Sequence, residues 1–303
     1  MNLRPPTGHV GATPATPLTP LTPLEPPQPL PVDAGQAEAD VRQDGGCAYT
    51  SALARLEFAT VSECGSVHQR NEDAHSPPLR SGRLFIVADG VGGGALARIV
   101  SGQLVRRLHR ALDPQRISAA RIAQAVLEAD QAIARHVARR SERPGAATLV
   151  LCAPVNALAS KWLVGWVGDC RAYRIAPGRA ERHAQLTRDD TFRHLGETPP
   201  MGSLPDDPAR MVGNGATLGA NVVAFTLEPG ELLALCSDGV HKFVDPGELT
   251  DTLTGAGPLA RRVQALIAQA RRNGSADDAT LMLVRHGGYG LPARAGTALE
   301  LLR

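Results

Sequence analysis

Four carboxylate-bearing motifs stand far apart in the chain: RNEDAH with Glu72 and Asp73, VADGVGG with Asp89, CSDGV with Asp238, and DDAT with Asp277. Each closes or opens a short apolar run, so all four acids are expected at strand ends, where a fold can bring several of them to one point. LFIVADG and LLALCSDG each run through apolar residues into Asp-Gly. Such a strand delivers a carboxylate to a rim, and the glycine lets backbone approach closely. A lone Asp-Gly pair is equally a turn signal. Two with matching strands, together with the acid pairs Glu72-Asp73 and Asp277-Asp278, point instead to a shared oxygen site. Hard divalent ions such as Mg²⁺ and Mn²⁺ take oxygen ligands and keep several waters, so a few carboxylates around an open cleft suffice. Two such ions can activate a water as a nucleophile at neutral pH.

The elements that must carry these acids are short strands. EFATVSE, RLFIVAD, TLVLCAPV, KWLVGWVG, ELLALCS and TLMLVR read as strands, and GDCRAYRI reads as the return arm of a hairpin from KWLVGWVG. Leu96, Val100, Leu104 and Leu108 recur at helical spacing, as do Ile122, Val126, Ala129, Ile133 and Val137, and then Leu259, Val263, Leu266 and Ile267. Helices that come as a pair and then singly suit strands in two layers better than a strict βαβ alternation.

The ordered series RNEDA, ADGVGG, ATLVL, GDCRAY, LTRDD, CSDGV and DDAT, over roughly residues 57–286, resembles the metal-dependent protein phosphatase family, the type 2C serine/threonine phosphatases, in a bacterial form. The resemblance implies an α+β fold of two packed antiparallel β-sheets flanked by helices, with two Mn²⁺ or Mg²⁺ ions in a cleft at one end. It implies that Asp89 bridges both ions and that Gly90 offers a backbone carbonyl. Asp238 and Asp277 complete the other ion, Glu72 reaches its ion directly or through water, and Asp73 orients the attacking water. Asp278, where the family usually has asparagine, is expected to be a supporting or solvated group.

Three departures accompany the matches. The family's phosphate-binding arginine is replaced by His68, and a neutral imidazole lacks the bidentate fork of a guanidinium. Arg70 is the alternative phosphate contact, being two positions on along an assumed strand; His68 itself could instead donate a proton to the leaving alkoxide or be a plain polar residue. The aspartate that helps hold a third metal in many bacterial members aligns with Arg143, so two ions rather than three are expected, although Glu142 is adjacent. The stretch between LTRDD and CSDG is short and rich in Gly and Pro, so the family's flap cannot be read across.

A chain of 303 residues with 43% hydrophobic content accommodates one enzyme domain with appendages. The division expected is a disordered proline-rich arm over 1–52, a catalytic domain over 53–287 and a tail over 288–303. The arm contains TPATPLTPLTPLEPPQPLP, which has neither helical nor alternating periodicity. A net charge of +2 with no basic stripe argues against nucleic acid as a partner. No apolar run approaches a membrane span, and no secretory segment is visible, so a cytoplasmic monomer without membrane insertion is expected. The five cysteines form no CxxC pair and read as free thiols. Nine histidines without HxH or HExxH spacing argue against zinc. The function expected is Mg/Mn-dependent hydrolysis of phosphoserine and phosphothreonine in proteins that are targets of a serine/threonine kinase. A small-molecule phosphatase, or a weakly catalytic member serving as a phosphoprotein- or kinase-binding scaffold, are the alternatives.

Overall fold

The apolar runs form strands where the sequence places them. The computed structural model describes residues 41–51, 53–77, 83–112, 116–142 and 145–289. In chain order the strands are β1 (Val41–Ser51), β2 (Ala54–Glu63), β3 (Ala74–His75), β4 (Phe85–Val91), β5 (Ala146–Pro154), β6 (Lys161–Val167), β7 (Arg171–Ile175), β8 (Ala184–Gln185), β9 (Asn221–Thr226), β10 (Leu232–Cys236) and β11 (Ala279–Tyr289). The helices are α1 (Ala95–Ala111), α2 (Ala119–Ala138), the single turns α3 (Phe192–Leu195) and α4 (Asp238–His241), α5 (Pro246–Thr254) and α6 (Leu259–Arg272).

These strands make two antiparallel sheets, one ordered β1-β2-β11-β10-β7-β8 and the other β3-β4-β5-β6-β9. Between them lies an apolar layer in which Phe58, Phe85, Val150, Trp162, Leu235 and Met282 meet. Phe85 stacks on Trp162 with ring centres 5.9 Å apart, and both side chains are fully buried. Each such side chain contributes roughly 1.5–3 kcal/mol by leaving water. The stripe Val100, Leu104 and Leu108 of α1 and the stripe Ile122, Val126 and Ile133 of α2 cover the five-stranded sheet. Val263, Leu266 and Ile267 of α6 cover the six-stranded one, alongside Leu249 and Leu253 of α5. Local chemistry sets the helix ends. Ser118 caps α2 through the Arg121 N–H (3.2 Å), and Asp245 with Glu248 forms a capping box at α5. The result is the α-β-β-α sandwich expected from the sequence.

Two expectations fail. GDCRAYRI does become β7, but it does not return beside β6 as a hairpin. β6 belongs to the five-stranded sheet and β7 to the six-stranded one, so residues 168–170 carry the chain from one layer to the other. Gly168 makes this crossing possible. Its φ is 92°, and a Cβ there would lie 2.5 Å from Thr148 Cγ2.

The second concerns the arm expected over 1–52. Residues 41–51 form β1, in continuous antiparallel register with β2 from Val41↔Glu63 to Tyr49↔Arg55. QDGG is poor in apolar residues, yet an edge strand takes its pairing from backbone groups, which every residue but proline carries. The proline-rich segment upstream and the tail beyond Tyr289 lie outside the described residues, as does Arg143. Removing residues 1–51 strips β2 of a neighbour along its whole length. That truncation is expected to lower the melting midpoint by about 5 °C or more, against 2–4 °C per kcal/mol for a domain of this size. Removal of residues 1–40 is the comparison, and thermal denaturation followed by circular dichroism reads both.

Candidate metal centre

The acids converge at one end of the sandwich, drawn from both sheets. Asp89 sits near the end of β4, opposite Thr148 on β5. Glu72 and Asp73 immediately precede β3, and Asp277 and Asp278 immediately precede β11. Asp238 opens α4, two residues beyond the Cys236 end of β10. Both Asp-Gly glycines are there because backbone crowds them. A Cβ on Gly90 would stand 2.7 Å from Ala97 O and 2.9 Å from Glu72 O, and one on Gly239 would stand 2.0 Å from Asp278 O. The first contact seats the Glu72 loop and the start of α1 against β4. The second seats α4 against the approach to β11.

A polar network sets the carboxylates in place. Asp73 accepts from Ser237 Oγ at Oδ2 (2.8 Å), and its own N–H donates to Asn71 Oδ1 (2.9 Å). Thr280 N donates to Ser237 Oγ (2.9 Å), and Thr280 Oγ1 lies 2.7 Å from Ser62 Oγ. Glu72 Oε1 accepts from Gly94 N at the start of α1, a helix with no side-chain cap of its own. Asp278 is a supporting group with both oxygens committed: Oδ1 accepts from Gly65 N and Oδ2 from Glu72 N, each at 2.7 Å. It thereby pins both ends of the loop 65–72.

His68 lies in that loop, one-quarter exposed, with Nδ1 3.0 Å from Asp278 Oδ2 and 3.5 Å from Asp277 Oδ1, and Nε2 3.9 Å from Glu72 Oε2. Burial works to lower its pKa, but the carboxylates of Asp278, Glu72 and Asp277 together outweigh it and the net shift is upward. His68, Asp277 and Asp278 offer ligand atoms within 4.8 Å of one another. Arg70 is not brought in. Strand β2 ends at Glu63, so residues 64–73 are loop and the alternation invoked for Arg70 does not apply. Its side chain is exposed and makes no hydrogen bond or ion pair among the described residues.

Electrostatically the cluster is a cation-shaped deficit. Burial, then Asp238, Asp73, Asp169 and Asp277, push the Asp89 carboxyl well above its usual range. Asp73 is pushed up to about 7, chiefly by burial. Asp277, with its side chain 45% exposed, is also raised, by burial and then Asp238. Glu72 Oε2, Asp73 Oδ1 and Asp238 Oδ1 are buried without a hydrogen-bond partner. Buried like charges with unsatisfied oxygens are costly unless something positive joins them. The donor set is all oxygen, so hard divalent cations fit it.

Two residues of the site were not singled out in the sequence. Asp169, on the crossing between the sheets, is 2% exposed, and its carboxyl is raised to about 6 by burial and Asp238. Lys242 closes α4 and sets its Nζ 2.8 Å from Asp238 Oδ2 and 3.2 Å from Asp169 Oδ2. Burial alone would raise Asp238 too, but Lys242, with His241 and Asp89 adding to it, makes the net shift downward. The spacing of Asp238 and Lys242, four apart on a helical turn, was the available signal. Nothing local in GDCRAY marked Asp169. Cys152, Cys170 and Cys236 are buried free thiols.

The Stage II sporulation protein E (SpoIIE) family model matches residues 81–287. The chain belongs to that family. This SpoIIE-type chain is thereby a metal-dependent phosphatase of the type 2C kind, the family its motifs resemble. It is similar to the protein phosphatase PhpP of Streptococcus pneumoniae, with 26% identity over 246 residues that cover 76% of this chain and 97% of PhpP. Among solved structures, PppA of Pseudomonas aeruginosa, described as a key regulatory component of T6SS, is 27% identical, with a TM-score of 0.65 over 76% of this chain and 97% of that one. The PstP catalytic domain in complex with two manganese ions shares the fold at 24% identity, with a TM-score of 0.64 over 77% of this chain and 98% of that one. No helix among the described residues is long and apolar enough to cross a membrane.

Proposed function

We propose that the SpoIIE-type chain is a Mn²⁺- or Mg²⁺-dependent phosphoprotein phosphatase that hydrolyses phosphoserine and phosphothreonine, acting on proteins phosphorylated by a serine/threonine kinase. The observation that carries this reading is the convergence of Asp73, Asp89, Asp238 and Asp277 from both sheets: burial and then neighbouring carboxylates raise Asp89 and Asp277, burial raises Asp73, and Asp73 and Asp238 each keep a buried oxygen without a hydrogen-bond partner. Asp89, the Gly90 carbonyl, Asp238, Asp277 and Glu72 would hold two ions. Divalent cations bound there supply Lewis acidity toward phosphoryl oxygens and lower the pKa of water.

The chain's own groups do the rest. Asp73, fixed at Oδ2 by Ser237, keeps Oδ1 free to orient a water and accept its proton. His68, held at Nδ1 by Asp278, turns Nε2 toward the Glu72 side of the cleft, where it can donate to a phosphoryl or leaving-group oxygen. Arg70 has no comparable support and is left out of this machinery. The named activities of PhpP and the two manganese ions of PstP support the substrate class and the metal. Hydrolysis of an aryl phosphate and of a phosphothreonine peptide tests it. Turnover of both is expected with Mn²⁺ or Mg²⁺ and none with excess chelator; undiminished turnover in chelator would sink the metal reading. Turnover of the aryl phosphate alone would shift the assignment to small-molecule substrates.

A further inference from the structure

We propose that Lys242 is a resident cation of the metal centre: its ammonium fills the position between Asp169 and Asp238 that a further divalent ion would otherwise take. This rests on the metal-centre reading above. The two carboxylates it joins come from different layers, Asp169 from the crossing between the sheets and Asp238 from the first turn of α4. Lys242 Nζ lies 2.8 Å from one and 3.2 Å from the other, and both carboxylates are largely buried, with side chains 18% and 2% exposed. A pair of buried carboxylates that reach one point charge from opposite sides, left uncompensated, is what a hard cation binds.

The ammonium also has a directional effect. It engages Asp238 Oδ2 and leaves Oδ1 as that residue's buried, unpartnered oxygen. Asp238 therefore presents a single oxygen to the Asp89 side of the centre. Its other oxygen accepts a hydrogen bond from the ammonium, and Asp169 Oδ2, which has no hydrogen-bond partner, is ion-paired to the same point charge at 3.2 Å. The backbone of α4 fixes that tether. His241, the residue before Lys242, places Nε2 2.9 Å from the Asp169 carbonyl oxygen, so the helical turn is docked on the crossing independently of the ion pair. Lys242 is thus a positioning residue, acting on metal binding through Asp238 and Asp169.

Mn²⁺ stoichiometry reads this directly, by calorimetric titration and by electron paramagnetic resonance of the free ion. The wild-type chain is expected to saturate with two ions. Lys242→Met, which keeps the length and removes the charge, is expected to bind three, and Lys242→Arg to return to two. Adding Asp169→Asn to Lys242→Met is expected to abolish the gained site. Three ions in the wild type overturn the proposal, as does an unchanged count in a folded Lys242→Met, or a gained site that survives Asp169→Asn. Should Lys242→Met fail to fold, the wild-type count and Lys242→Arg still decide: an extra ion in either refutes the resident-cation role. A wild type that takes up no Mn²⁺ overturns the metal centre itself, and with it this inference; two ions with no rise in Lys242→Met overturn the lysine's role alone.

Discussion

Asp89→Asn is expected to lower turnover at least about a hundredfold with saturating metal, and to make the metal-free protein more stable. Asp89 is the carboxylate on which the others bear most: burial comes first, then Asp238, Asp73, Asp169 and Asp277, all acting to raise its pKa. A carboxyl whose pKa is higher in the folded than in the unfolded chain opposes folding once ionised, and the penalty fades as pH falls through the folded value. At neutral pH an asparagine of the same shape removes that repulsion. The same charge is what would hold cations at the centre, so the variant loses function as it gains stability. Steady-state kinetics on an aryl phosphate and thermal melts in chelator check the two halves. Near wild-type turnover, or a melting midpoint that falls, removes Asp89 from the centre.

Gly239→Ala is expected to cost about 3 kcal/mol or more of stability and to lower Mn²⁺ affinity by at least about tenfold. A Cβ at this position would lie 2.0 Å from the Asp278 carbonyl oxygen and 2.9 Å from its carbonyl carbon. Both are backbone, so no side chain can turn aside, and overpacking of even an ordinary kind costs 1–3 kcal/mol. The displacement falls on the segment that carries Asp277 and on Asp278, which pins the loop 65–72 through Gly65 N and Glu72 N. Three of the proposed metal-holding residues, Glu72, Asp238 and Asp277, therefore move with it. Gly178→Ala is the comparison: its φ is positive, 74°, a strain that Gly239 does not share, but nothing stands within 4 Å of its Cβ position. A denaturant midpoint for Gly239→Ala no lower than that of Gly178→Ala would refute the packing argument.

The layers of this fold were legible because their residues announce them. Strand runs such as FIVA and LLALC are apolar on both faces, as strands covered by a second sheet and by helices must be. The stripes of α1, α2 and α6 recur at helical spacing and are the faces that the structure buries. Sheet membership was not legible. A turn such as GDC reads the same whether the next strand returns beside its predecessor or crosses to the opposite sheet. The deciding fact is that Gly168 sits against Thr148, a contact between residues twenty apart. β1 was missed because its residues carry no apolar pattern, and its order comes from the backbone of β2.

The site divides in the same way. Asp89 and Asp238 were visible because each ends an apolar run in Asp-Gly. Asp278 was expected as a supporting or solvated group, and which it is, a grip on two backbone N–H groups of a distant loop, could be seen only in three dimensions. Arg70 was misplaced because the strand was extended past Glu63 into residues that turn away. Asp169 needed the sheet crossing before it could be put beside Asp238.

Because the crossing at residues 168–170 and the acids of β4, α4 and the approach to β11 meet at one end, like charges oppose one another there, whereas packed aromatic rings join the two sheets elsewhere. The sandwich is thus welded through its middle and repelled at its lip. Cations at the lip would stitch one layer to the other, and an unfolded chain, with Glu72, Asp89, Asp238 and Asp277 scattered along its length, has no preformed place to receive them. Loading would then follow closure of the sandwich, and loss of the ions would be expected to relax the lip as a local opening of strand ends and loop 65–72.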